Sequence, residues 1–247
     1  MFPRTFLLCF LIFLPFFTEA QEITTEKPLR ISLSSFYRNK SVFRGAETWP
    51  DPSYFVGPSI ILYDRWFIRG PALFYSHFSK NSPFTLSAGI SYLSDDEPWP
   101  DTSDHEEDYR NQRSSSLELS TTFRYKFGYR NSFYFGFAYY KEVKRHFGQF
   151  VEIMAGMPIF PYTSLHLKSG IGDLEANKYI YGPSSAEGEG YRSVSISLVI
   201  PHVPWEGIIR AQMERTWVVK DQNRKAEYIK EKYINDGMSL MLVWSII

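Results

Sequence analysis

The stretch from Ser115 to Tyr140 constrains the fold of this chain more than any other. It reads SSLELSTTFRYKF, then GYRN, then SFYFGFAYY. In the first run Leu117, Leu119, Thr121, Phe123, Tyr125 and Phe127 share one face, while Ser116, Glu118, Ser120, Thr122, Arg124 and Lys126 share the other. A period of two separates two chemistries only on a β-strand. Gly128–Asn131 is a short turn, and the return run places Phe133, Phe135, Phe137 and Tyr139 opposite Ser132, Tyr134, Gly136, Ala138 and Tyr140. The stretch is a β-hairpin with an aromatic face and a polar face. What the aromatic face meets decides the fold.

Nine further runs extend the pattern or part of it: Leu29–Tyr37, Phe55–Tyr63, Trp66–Phe78, Phe84–Tyr92, Phe147–Met157, Tyr162–Ile171, Tyr191–Ile200, Glu206–Val218 and Met238–Ile247, beside the two strands of the hairpin. That makes eleven strands in all. Gly70-Pro71 falls inside Trp66–Phe78 and is expected to kink it, because proline cannot donate to a ladder. From residue 94 onward long segments (94–113, 172–190, 219–237) alternate with short turns (128–131, 158–161, 201–204). Asp221–Lys232 is charged enough to form a short helix within the last of them.

A soluble sandwich also alternates, with its apolar residues inward. Three features favour a membrane barrel. The runs are about 9–13 residues, the span of a tilted membrane strand, against about 5–6 for soluble strands. Aromatic residues sit at run ends (Tyr63, Trp66, Tyr92, Tyr125, Phe127, Phe133, Tyr191, Trp217, Trp244), as interfacial girdles do. Charges such as Glu118, Arg124, Glu152 and Lys168 stand in mid-strand on polar faces, where a lumen tolerates them and lipid does not. Aromatics make up 18% of the chain, which suits strands, and a mean hydropathy of −0.27 argues against helical spans. The expected fold is all-β, an up-and-down antiparallel transmembrane β-barrel. Because such barrels have an even number of strands, Leu29–Tyr37 is set aside to give about ten, with twelve as the alternative.

Residues 1–20 read as a secretory signal peptide: Arg4, an apolar core Thr5–Phe17, then Thr18-Glu19-Ala20 with cleavage near Ala20. Residues 21–54 are expected to form an N-terminal tail that holds the run set aside, and 55–247 the barrel. The only cysteine, Cys9, lies in the signal segment. With 27 basic and 27 acidic residues there is no electrostatic case for nucleic acid.

Chemistry is sparse. His77, His105, His146, His166 and His202 show no metal-ligand spacing. Ser76–His77 point to opposite faces of a strand, and Ser164–His166 share a face but stand about 7 Å apart by the strand rise. His105 lies in the acidic segment Asp95–Asp108, whose expected role is a solvated outer loop rather than a Ca²⁺ or protease site. Glu118, Arg124 and Lys126 are read as the polar lining of a narrow, plugged lumen. No catalytic, cofactor-binding or metal-ligating residue is expected, and the chain is read as no enzyme.

Gly57-Pro58-Ser59-Ile60-Ile61-Leu62-Tyr63 followed by Asp64-Arg65-Trp66-Phe67-Ile68-Arg69-Gly70 resembles the P-x-I-x-Y … F-F-x-R-G hairpin of the MipA/OmpV outer-membrane family. Tyr179-Ile180-Tyr181-Gly182, with Glu187 and Tyr191, is similar to that family's Y-Y-G-V … E-A … Y element. The family's aspartate-serine-proline element is not visible in Val219–Gly237. The resemblance implies an outer-membrane barrel of a Gram-negative bacterium, inserted by the outer-membrane assembly machinery. It implies a scaffold bridging a lytic transglycosylase and a penicillin-binding murein synthase. A small pore and a barrel-embedded hydrolase are the alternatives.

Overall fold

The computed structural model describes residues 28–49, 52–77, 82–93, 116–128, 133–203, 207–229 and 232–246. The signal segment, its cleavage site, the acidic segment with His105, and the turn at 129–132 lie outside these residues.

Twelve strands close into one antiparallel barrel. In chain order its members are β1 (Leu29–Arg38), β4 (Ser53–Leu62), β5 (Trp66–Arg69), β6 (Ala72–Ser76), β7 (Phe84–Leu93), β8 (Ser116–Phe127), β9 (Phe133–Glu142), β10 (Gln149–Phe160), β11 (Thr163–Gly172), β12 (Gly188–Val203), β13 (Gly207–Val218) and β14 (Ile234–Ser245). β2 (Ser41–Phe43) and β3 (Ala46–Trp49) form a separate two-stranded hairpin. Each barrel strand pairs with its neighbours in the chain, and β1 closes the ring on β14, with Ser32 opposite Ser245 and Arg38 opposite Ser239.

The count of ten is therefore corrected to the alternative of twelve, for two physical reasons. Leu29–Arg38 is a barrel strand, paired along its whole length with β4. Its outward face is interrupted by Ser35, which weakens its alternation in the sequence. Trp66–Phe78 holds two strands: Gly70, at φ +53, turns the chain at the tip of a hairpin in which Arg69 faces Ala72 and Trp66 faces Tyr75. A proline that would disrupt a strand interior is harmless at a turn.

The faces follow the alternation. On β8, Leu119, Tyr125 and Phe127 are exposed on the outer wall, while Ser116, Glu118 and Ser120 are buried in the interior. On β9, Phe133 and Phe135 face out and Ala138 and Glu142 face in. Around the short-turn end the outer wall carries touching rings: Trp66 on Tyr75 at 4.8 Å, Phe84 on Tyr125 at 5.1 Å, Tyr125 on Phe127 at 5.9 Å and Phe127 on Phe133 at 5.7 Å between centroids. Tyr191, expected among the girdle aromatics at the start of its strand, points inward instead and is buried.

Among the described residues, the long-loop end is folded. The β2–β3 hairpin, α1 (Leu174–Tyr181) and the segment containing α2 (Asp221–Arg224) meet there and bury Ala46, Ala176, Ile180, Tyr181, Ala226 and Ile229 against Phe150, Tyr191 and Val218 of the barrel. Apolar burial of this kind is what holds a loop in one place. Asp173 caps α1, one carboxylate oxygen accepting from the Ala176 N–H at 2.8 Å and the other from the Gln149 N–H at 3.0 Å, which ties the helix to β10.

Candidate functional site

The hairpin β2–β3 is the plug, and Arg44 at its tip is the part that enters the lumen. Its guanidinium donates to the Glu118 carboxylate at 2.7 Å, and both side chains are under a tenth exposed. Three rings surround the same guanidinium: Phe43 at 4.6 Å, Tyr140 at 4.5 Å and Phe150 at 4.4 Å from its carbon to the ring centroids. A desolvated cation gains most from aromatic faces, and a paired one escapes most of the cost of burial. In the sequence the β2–β3 residues fall within the expected N-terminal tail, 21–54, with no strand assigned to them. A run as short as SVF–RG–AETW carries no period long enough to be recognised.

Cap and barrel are stitched by polar side chains. Tyr181 donates its hydroxyl to the Arg44 carbonyl at 2.8 Å. Asn235, on β14, donates to the Gly45 carbonyl at 2.9 Å. Lys40 and Lys232 both reach Glu47 at 3.1 Å. The Glu142 carboxylate, at the end of β9, accepts from the backbone N–H groups of Leu117, Lys144, Arg145, His146 and Phe147 and so shapes the β9–β10 loop. In that loop His146 stacks on Tyr179 of α1, with centroids 4.3 Å apart, and its Nδ1 accepts from the Gly148 N–H. Burial holds the His146 imidazole below its ordinary pKa, with the Glu142 and Asp173 carboxylates opposing that shift and the Arg44 charge adding to it.

Two cavities of about 240 Å³ each flank the plug. One lies between Phe36, Arg38, Lys40, Val42 and the wall at Gln212, Glu214, Asn235 and Ser239. The other lies under Arg44, between Glu118, Tyr140, Glu152, Lys168 and Tyr191. In the second, Tyr191 donates its hydroxyl to the Glu152 carboxylate.

The structure places the sequence candidates as follows. Glu118, Arg124, Lys126, Glu152 and Lys168 all lie on inward-facing positions of their strands. Ser76 and His77 stand at the end of β6, their backbones tied to Arg65 and Leu86. Ser164 and His166 share a face of β11, but His166 bonds elsewhere: Nε2 to Ser197 Oγ at 2.7 Å and Nδ1 to the Tyr134 hydroxyl at 2.9 Å. Gly156 makes this possible, because a Cβ there would stand 2.1 Å from the Tyr134 ring and 2.9 Å from His166 Nδ1. A serine oxygen within reach of an imidazole is the geometry of nucleophile and base, with a tyrosine here in the position of the orienting group. The sequence hid Ser197 because it lies on the next strand; only the β11–β12 register brings it across. Among the described residues no group of metal-ligating side chains forms.

A closed antiparallel barrel, apolar and aromatic outside, polar and charged inside, is a transmembrane β-barrel of the outer-membrane type. That class rests on the barrel's own faces and register. No protein-family model matches the chain, and no curated protein matches it. Among solved structures it is similar to OpdK with vanillate from Pseudomonas aeruginosa (11% identity, TM-score 0.34, covering 78% of this chain and 52% of that one). It is also similar to outer-membrane expressed OmpT of Vibrio cholerae (6% identity, TM-score 0.36, covering 88% and 96%) and to the outer membrane protein OprD from Pseudomonas aeruginosa (9% identity, TM-score 0.34, covering 88% and 65%). The chain thus spans about half the length of OpdK and nearly all of OmpT.

Proposed function

We propose that this protein is a non-enzymatic outer-membrane barrel, closed at rest by its own cap, that serves as an interaction protein of the cell envelope. The observation that carries the reading is Arg44 seated in the lumen on Glu118, beneath a cap with its own apolar core. A plug held by a desolvated ion pair and three rings does not leave its seat by side-chain motion alone. Reconstitution in planar bilayers tests it. The full chain is expected to give no conductance steps, and Arg44→Ala, which frees the plug, is expected to give flickering ones. Steady steps from the unaltered protein would overturn closure and move the reading to a small pore.

The envelope partner is the finer part of the proposal. The resemblance of the β4–β5 hairpin (Gly57–Gly70) and of Tyr179–Tyr191 to MipA/OmpV proteins favours a murein scaffold that binds a lytic transglycosylase and a penicillin-binding synthase. Its test is co-purification of both enzymes from a detergent-solubilised envelope; recovery of neither would remove the scaffold role. Export with cleavage near Ala20 predicts a mature N-terminus at Gln21 in the outer-membrane fraction. Hydrolysis of phospholipid or peptide, abolished by Ser197→Ala and by His166→Ala, would replace the non-enzymatic reading with a hydrolase.

A further inference from the structure

Several cations of the cap and rim have carboxylates: Arg44 on Glu118, Lys40 and Lys232 on Glu47, Arg215 on Asp236, Arg192 on Glu189. Others there, Lys141 and Lys220, donate to backbone carbonyls. A group on the lumen wall is different. Arg69, Arg124, Lys126, Lys168 and Arg210 occupy inward positions on β5, β8, β11 and β13, and none has a carboxylate partner among the described residues. Two of them rest on thioethers instead. Arg69 donates to Met241 Sδ at 2.8 Å and Arg124 to Met154 Sδ at 3.2 Å. A thioether is a weak acceptor for a guanidinium, so these contacts hold the side chains in place without neutralising them.

The register brings these charges into one tier. Arg124 stands across from Gly136, Gly136 from Met154, and Met154 from Lys168, along a single row of the wall. Arg210 stands across from Met241, the residue that Arg69 reaches past β4 and β1 along the same stretch of wall. His166 stands between the two halves: Arg124 lies over the ring of Tyr134 at 5.4 Å, Tyr134 bonds His166 Nδ1, and His166 Nε2 bonds Ser197, which stands across from Gln212 on β13, two positions from Arg210. The carboxylates facing this tier are Glu152 and Glu214, and each accepts from a neutral donor, Tyr191 and Gln212. Four cations (Arg69, Arg124, Lys168 and Arg210) against two carboxylates leave the tier positive, inside a low-dielectric wall that concentrates its field. Ser193, Ser195 and Ser197 line the adjoining face of β12 with hydroxyl donors.

We propose that this tier, centred on Arg69, Arg124, Lys168 and Arg210, is a binding site for a small oxyanion, one bearing a carboxylate or a phosphate group. Guanidinium forks match both groups in a bidentate manner. The planar thioether-held arginines supply orientation and Lys168 supplies charge. The inference rests on the barrel reading and not on closure of the plug, so binding and conductance fail separately.

Isothermal titration of the full chain in neutral detergent at low ionic strength tests it, with benzoate, inorganic phosphate and benzylammonium as probes. At least one anion is expected to bind and benzylammonium is not; which anion binds names the class. Raising the salt should weaken binding, as a water-filled lumen screens the charges. Arg124→Met and Arg210→Met are each expected to weaken the bound anion about tenfold, the loss of roughly one charge-assisted contact. Heat-modifiable gel migration shows whether each variant remains a barrel, and the three-probe comparison on the unaltered protein stands without any variant. No heat from either anion, equal heat from benzylammonium, or undiminished binding by a folded Arg124→Met/Arg210→Met double variant would overturn the site.

Discussion

Arg44 and Glu118 show what a single pair does in this barrel. Both side chains are under a tenth exposed, so removing one leaves an uncompensated buried charge, which costs about 3–5 kcal/mol. Glu118→Ala should therefore lower the temperature at which the barrel loses its compact gel migration, and Arg44→Met/Glu118→Leu should restore much of it. Glu142 acts on backbone instead. With five N–H groups converging on one carboxylate, Glu142→Ala leaves several donors unpaired and costs about 1–3 kcal/mol locally. Faster hydrogen exchange confined to Leu117 and residues 144–147 is the expected signature. His146 gives the cap a pH dependence. Its folded pKa is depressed from the ordinary 6.5, so the unfolded loop binds the proton more tightly. The stability it contributes is present above pH 6.5 and is lost as pH falls through the lower folded value. Trypsin cleavage after Lys144 or Arg145, taken at each pH relative to a free peptide of the same sequence, should accelerate between pH 7.5 and 5, and His146→Phe, which keeps a ring on Tyr179, should flatten that response.

At the scale of elements, the β5–β6 hairpin decides the strand count. Gly70 holds φ +53 at its tip, and nothing lies within 4 Å of where a Cβ would stand. The only cost of a side chain there is the left-handed backbone, about 1–2 kcal/mol for a β-branched residue and little for asparagine. Gly70→Val should slow folding into detergent micelles, whereas Gly70→Asn should leave it unchanged. A mid-strand kink, the sequence expectation, would respond alike to both. The sequence lost β6 for the same reason: strands of four and five residues are too short to establish a period. The longer ones (β8, β9, β11, β12) were legible because ten or more residues repeat the alternation. The helix α1 escaped notice in Leu174–Tyr181 because eight residues give barely two turns of pattern.

For the molecule as a whole, closure is the decisive event. A ring has no unpaired edge, and the bilayer core offers no water to satisfy one. Ser34 and Val243 stand opposite each other where β1 meets β14, in a chain with a single cysteine, Cys9. Ser34→Cys/Val243→Cys should therefore form a disulfide on mild oxidation of the folded protein. A ten-strand barrel would seat β14 elsewhere and give none. The sequence by itself determined the class and the faces, because lipid and lumen impose opposite chemistry on alternate residues and the alternation is written locally in Leu117–Phe127 and Phe133–Tyr139. It also placed Glu118, Arg124, Glu152 and Lys168 on the inner wall. Only the tertiary structure decided that twelve strands close the ring, that Arg44 sits inside it on Glu118, and which inner charges are neutralised. Those outcomes depend on contacts between residues far apart in the chain, such as Arg44 with Glu118, His166 with Ser197 and Arg69 with Met241. Strand register sets such contacts, and register belongs to the closed barrel rather than to any one strand.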